Sequence, residues 1–254
     1  MRKLILSALL IFVFVLALFL AFSHKSGINN LLPVKTIKFL SPKTSKSAPF
    51  KKNERMSFEI FLFGLKFGKS DIIFRGETKL EGKDVYLIES NSDTLNYKGK
   101  ELIYVERKGF FPLRVERDLV FLGSKEIIIE DYSLADNSVT IKKTVGKNTK
   151  TTVIKKDNDI QNSISLIYLC RILNIFDRNV LIDVNLPTRE FKLKVKKDQK
   201  ITVPLGRFES FLFEDEGKNF RVWISKDKKR LPLRFDFNSA LKRYSMRLVS
   251  YARD

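Results

Sequence analysis

The sequence predicts a mainly β protein, a curled antiparallel sheet or partial barrel of about a dozen strands with one central helix at about 160–176. Three observations carry this. From Met56 onward, short runs of β-branched and aromatic residues are broken by Gly, Pro or Asn/Asp/Lys clusters every ten to fifteen residues, the pattern of an antiparallel meander. A single long stretch, Ile160–Phe176, lacks Pro and Gly and is apolar almost all round. With 254 residues, 44% of them hydrophobic, the chain suffices for one sizeable core.

The N-terminus reads MRKLILSALLIFVFVLALFLAFSHKSG, in which Arg2 and Lys3 precede an uncharged run, 4–22, interrupted only by Ser7. Basic residues before such a run predict a cytoplasmic N-terminus and export of the rest of the chain. At 1.5 Å per residue the run also crosses a hydrocarbon layer of about 30 Å. Cleavage after Ser23 and retention as an anchor both stay open, so 1–23 is read as a signal peptide or signal anchor. No cysteine stands directly after the run to take a lipid.

Residues 24–55, with PVKTIKFLSPKTSKSAPFKKNER, read as an extended and largely unpacked basic tether, because they lack the apolar periodicity that would offset the entropy of ordering them. Its lysines suit either a soluble spacer or anionic headgroups. The net charge of +19 is unevenly spread: residues 1–56 hold ten Lys/Arg against one acid, Glu54. Export and the lack of helix-turn-helix, zinc-ligand or RNA-binding aromatic motifs exclude nucleic acid as a partner.

Residues 56–254 read as one β-rich domain. Strands are expected at Ser57–Phe63, Ser70–Arg75, Lys79–Leu80, Val85–Glu89, Glu101–Arg107, Leu113–Arg117, Glu126–Tyr132, Ser138–Thr144 and Thr149–Lys155. After the helix they resume at Val180–Leu186, Phe191–Lys196, Ile201–Val203, Phe208–Glu214, Phe220–Ser225, Leu233–Phe237 and Tyr244–Ser250. Runs such as Phe-Lys-Leu-Lys-Val (Phe191–Val195) alternate apolar and basic, so one face is buried and the other carries lysines to solvent. So many strands must curl or split into two packed sheets.

The helix starts near Asp157, Asn158 and Asp159, which are good N-cap residues. Its place is against the apolar concave face of the sheet. Its serines have no base for nucleophilic chemistry, since the sole histidine, His24, lies in the tether. Cys170 has no second cysteine to pair with, and its position beside Leu169 and Ile172 suits a buried, inert thiol. One His and one Cys supply no metal site, and no catalytic residue or cofactor motif is found. Arg171, on a nearly apolar helix, requires a carboxylate or carbonyl partner, or a mouth where it meets an anionic headgroup. Arg171 and Tyr168, three residues before it, are the candidate ligand-binding pair. Asp183, Glu214, Asp215, Glu216, Asp227 and Asp236 are the acids that could pair for glycoside hydrolysis, although most read as turn residues.

NSISLIYLCR (Asn162–Arg171), ITVPLGRFES (Ile201–Ser210) and VWISKDKKRLPLRFDF (Val222–Phe237) resemble three ordered signatures of a bacterial family of exported envelope proteins known only as a domain of unknown function. MSFEIFLFGLKFGKSDIIFRG (Met56–Gly76) is similar to that family's first hairpin. The family usually carries an acid three residues before the helix serine; Asn162 stands there in this chain, which leaves that position an N-cap or loop hydrogen-bonding role. The resemblance implies a signal sequence ahead of a mostly β domain. The expected function is therefore that of a non-enzymatic periplasmic envelope protein, tethered to the inner membrane by 4–22 if uncut. It would bind a lipid or other amphiphile in its concave face, or an envelope protein. The alternatives are a carboxylate-dependent enzyme acting on envelope glycans and a structural partner in an envelope complex.

Overall fold

A computed structural model of the chain describes residues 35–37, 50–172, 180–239 and 242–253; the apolar run 4–22, His24 and most of the basic segment lie outside the described residues. A short strand, β1 (Lys35–Ile37), precedes the first meander. That meander comprises β2 (Glu54–Leu62), β3 (Leu65–Leu80), β4 (Lys83–Thr94), β5 (Tyr97–Val105), β6 (Pro112–Phe121), β7 (Ser124–Ser133), β8 (Ser138–Val145) and β9 (Asn148–Lys155). Helix α1 (Ser163–Ile172) comes next. The second meander is β10 (Val180–Leu186), β11 (Arg189–Val203), β12 (Gly206–Asp215), β13 (Phe220–Ser225), β14 (Pro232–Ser239) and β15 (Lys242–Ala252).

The last strand returns to the first meander: β15 pairs antiparallel with β2 from Tyr244↔Leu62 to Ala252↔Arg55. The two meanders thereby become one 15-stranded sheet, completed by β1, which pairs in parallel with β10. β9 and β1 stand at its two edges, so it is open. Its curl shows in what crosses the concavity. The segment after β9 reaches β10 directly, through Gln161 N donating to Asn185 O at 2.7 Å and a Lys156–Glu190 ion pair at 2.8 Å.

The sheet has fifteen strands, more than the dozen expected, although two of the segments read as strands are not separate ones. Lys79–Leu80 is not a separate strand but the end of β3, because Gly76 (φ +87°) sits at a bulge that bends the strand without ending it. Ile201–Val203 likewise continues β11 past an irregularity between Lys196 and Gln199. The tether is not unpaired throughout, since Lys35–Ile37 forms β1. The helix is also shorter at its start. Ile160 bridges Asn185 in extended conformation, and the N-cap is Asn162, not Asp157–Asp159. The Asn162 Oδ1 accepts the amides of Ile164 (2.8 Å) and Ser165 (3.3 Å), satisfying two otherwise orphaned donors. The predicted end near Phe176 lies outside the described residues.

Strand parity loads one face. Met56 and Phe58 on β2, Ile72 and Phe74 on β3, Ile88 on β4, Ile103 on β5 and Val115 on β6 are paired or neighbouring and all buried. Helix α1 fills this face. Tyr168 packs on Phe50 (5.0 Å, edge-on), Phe74 and Phe110 (6.3 Å, nearly parallel rings) from the first meander and the segment leading into it. Leu166, Ile167 and Cys170 meet Leu193, Phe213, Phe220 and Val222 of the second, leaving a void of about 10 Å³. That space holds one water at most.

Candidate functional site

Polar groups that a curled, apolar sheet buries must be paired or put to use. Arg171 is buried on α1, and its Nη1 donates to Glu54 Oε1 at 2.6 Å, with both side chains almost fully enclosed. Its remaining donors reach the carbonyls of Arg230 and Lys229, each at 3.1 Å, in the β13–β14 turn. The guanidinium also lies over the Phe50 ring at 4.3 Å. Tyr251 on β15 donates to the other Glu54 oxygen at 3.0 Å, and burial first, then Glu54, pushes its hydroxyl up to about 12. Arg171 therefore ties the helix to the β15–β2 seam. It faces carbonyls and a carboxylate, not a mouth.

Tyr168 is buried beside it. Its hydroxyl finds no hydrogen-bond partner among the described residues, and burial raises its pKa. The two candidate residues are thus brought together, inside packed protein. Cys170 is buried as expected, and desolvation pushes its thiol up to about 12.

A second internal cluster is one that motif reasoning misses. Glu101 (β5) and Arg117 (β6) are directly opposed, and Arg117 Nε donates to Glu101 Oε2 at 2.8 Å. Arg117 also bonds Glu130 on β7, whose other oxygen accepts the Tyr132 hydroxyl at 2.6 Å. Burial opposes the arginine's charge, yet Glu101 and Glu130 hold its pKa above the ordinary value. Tyr244 on β15 feels Glu101 across the concavity: burial first, then that carboxylate, pushes its hydroxyl up to about 12. A signal was present, because Arg117 stands in the inward phase of Val115-x-Arg117-x-Leu119 and Glu130 in that of Ile128-x-Glu130. Charges in an apolar phase mark an internal ion cluster.

The acids proposed for hydrolysis are dispersed and held. Asp236 is clasped by Arg221 (2.8 Å) and Arg234 (2.6 Å); Glu214 pairs with Lys196 and Glu216 with Lys194. Asp215 accepts the amide of Phe220 at 2.6 Å, and Asp227 accepts those of Lys229 and Arg230 within its turn. Asp183 pairs with Lys192, its cross-strand neighbour. Among the described residues no group of three His, Cys, Asp or Glu could hold a metal, and no helix is long and apolar enough to cross a membrane. At the β15–β2–β3 seam, Asn53, Arg55, Ile73, Arg75 and Ala252 line an open depression of about 340 Å³, where Arg75 is already engaged by Glu89 at 2.9 Å.

Fold and site together define a class: an open, curled antiparallel β sheet plugged by one helix, with its internal charges neutralised in place. The chain belongs to the family described as protein of unknown function DUF3108, which matches residues 55–248. No curated protein matches the sequence. Among solved structures, the chain is similar to a β-barrel-like protein with a domain of unknown function, DUF1849, from Brucella abortus, at 10% identity and TM-score 0.49, covering 81% of this chain and 99% of that one. It is also similar to a protein described as exported, with a YmcC-like fold, from Bacteroides fragilis (6% identity, TM-score 0.26, 81% of this chain and 98% of that one). A third is a protein described as a lipoprotein from Parabacteroides distasonis (9% identity, TM-score 0.29, 87% and 100%).

Proposed function

We propose that the chain is a non-enzymatic envelope protein that acts by binding at its outer surface, exported by residues 1–23 and held at the inner membrane by 4–22 when these stay uncut. The observation that carries this reading is the filled interior. Between α1 and the second meander, where an amphiphile would be enclosed, the described residues leave about 10 Å³, and the concave face over β5–β7 carries the Glu101–Arg117–Glu130 cluster. An alkyl chain needs roughly 30 Å³ per methylene-sized group displaced, comparable to a water's share of volume, and finds no such room beside the helix. Tyr168 and Arg171 serve to seat the helix. An amphiphile or an envelope partner is then met from outside.

Native mass spectrometry of the protein purified from its own membranes tests this. The expected spectrum is that of the bare chain once detergent is exchanged. A stoichiometric lipid that survives the exchange would place the ligand inside and overturn the reading.

A further inference from the structure

Consecutive hairpins of a meander turn at alternate ends of the sheet, so β2–β3, β4–β5 and β6–β7 turn at one end and β3–β4, β5–β6 and β7–β8 at the other. The first end is apolar at its tips. Phe63 (60% exposed), Leu65 (76%), Leu95 (86%), Leu122 (53%) and Val120 sit there, five of the seven large hydrophobics exposed among the described residues. The tips are held in line: Leu122 N donates to Asn96 O at 3.0 Å, and Phe63 N to Arg243 O at 2.9 Å.

Two of these residues are costly to the fold where they stand. Phe63 (φ +52°) and Leu122 (φ +48°) each occupy the first position of a two-residue turn whose second position is a left-handed glycine, Gly64 or Gly123. Such turns favour Asn, Asp or Gly, and a bulky residue there signals strain that folding does not require. Within this meander the charge is one-sided. Its four turn segments at this end, 62–69, 93–100, 120–126 and 143–150, contain eight lysines and two acids. Its opposite turns, 80–83, 106–111 and 133–138, contain three bases and three acids, and their large aromatics, Phe110 and Phe111, are buried.

We infer that this end of the first meander is a membrane-contact rim that sets its apolar tips into an anionic lipid surface. Hairpin tips two strands apart are separated by about 10 Å. Single side chains spaced so, with lysines between them, do not make the contiguous, charge-depleted patch that a protein interface core requires. They suit a bilayer, in which Phe and Leu enter the headgroup–acyl boundary while lysine stems lie along the apolar surface and their ammonium groups meet phosphates. The inference rests on the envelope reading above, and names the lipid surface as what the outer face binds.

The test uses the full chain, reconstituted in vesicles, with an environment-sensitive fluorophore (NBD) on Leu95→Cys at the rim or on Ala135→Cys at the far end; the buried Cys170 thiol stays unlabelled. The N-terminal segment is the same in both, so it cannot produce a difference between them. In vesicles of phosphatidylethanolamine and phosphatidylglycerol, the Leu95 probe should shift to the blue, brighten at least threefold and be quenched by nitroxide-labelled lipid, while the Ala135 probe stays aqueous. In phosphatidylcholine alone the Leu95 response should fall at least threefold, and Phe63→Ser with Leu122→Asn should abolish it with the melting temperature retained. Equal responses at the two ends, an aqueous probe at Leu95, or an undiminished response in neutral vesicles would overturn the inference. Cell fractionation tells which premise failed. A chain found in the cytosol removes the envelope reading, whereas a chain in the envelope with water at its tips removes the rim alone.

Discussion

Arg171 shows how one buried charge organises this molecule. Its head group joins α1, β2, the β13–β14 turn and, through Glu54, Tyr251 of β15. Removing one partner leaves the other buried without its partner, so Arg171→Met or Glu54→Leu alone should cost about 3–5 kcal/mol by urea denaturation. The double variant should recover most of that loss, because an apolar pair of similar volume needs no desolvation. Additive losses would show that the two residues act independently. Tyr168→Phe removes an unpaired buried hydroxyl and should leave stability equal or raise it by about 1 kcal/mol, measured in the same way. Glu106, in the β5–β6 turn, has its carboxyl raised from 4.5 by burial first and then by Asp159. A carboxyl raised in the fold stabilises below its unfolded pKa, and that contribution is lost as pH rises through the folded pKa. Relative to Glu106→Gln, the wild-type chain should therefore lose stability as pH climbs from about 4.5 toward neutrality, seen as a falling difference in urea midpoint. At this scale the sequence shows that Arg171 must be paired, since no charge sits on an apolar helix unaided. Its partner is 117 positions away in the chain and reads locally as the lone acid of a basic tether, so no local pattern singles out Glu54.

Among the elements, the hairpins are the most legible and the strand ends the least. Gly64, Gly82 and Gly123 each close a two-residue turn, and the alternating runs beside them fix the inward face. Gly76 gives the same local signal as those turns but lies at a bulge within β3, because its neighbours on β4 continue the ladder on both sides. Only the paired strand distinguishes bulge from break. β1 is three residues long and joins a strand far along the chain, so nothing nearby in the sequence marks it. Asn162 displaces the better-looking cluster Asp157–Asp159 as N-cap because 160–161 is drawn into extended pairing with Asn185. The turns also allow stability and surface role to be separated. Leu122→Asn places the favoured residue at a left-handed position and should raise stability by about 1 kcal/mol. Glu81→Asn, in the same kind of turn (φ +50°) at the opposite end, should do so equally. Thermal melts of the two variants check this, and only the first should weaken contact with anionic vesicles.

At the scale of the whole molecule, the question is whether two sequential meanders are two folding units. The chain order suggests so, because every neighbour within 54–155 and within 180–252 except the seam is consecutive in sequence. Three features oppose it. The seam pairs β15 with β2 over the length of the shorter strand, α1 packs on both meanders at once, and the Glu54–Arg171–Tyr251 set spans them with buried charge. Either half alone would expose the apolar face that the helix covers, and a half sheet with one face open is a poor unit. Unfolding should therefore be a single transition despite the modular order. The only tryptophan, Trp223 on β13, reports the second meander, and Tyr86→Trp on β4 would report the first. In a chain carrying Tyr86→Trp and Trp223→Phe, the urea midpoint should coincide with that of the wild type once the substitutions' own effect is fixed from far-ultraviolet circular dichroism of the same sample. Two separated midpoints, with the first meander persisting after Trp223 is exposed, would show that the seam is an interface between two domains. In that case Arg171 would act as a latch between them and would no longer be the centre of one core.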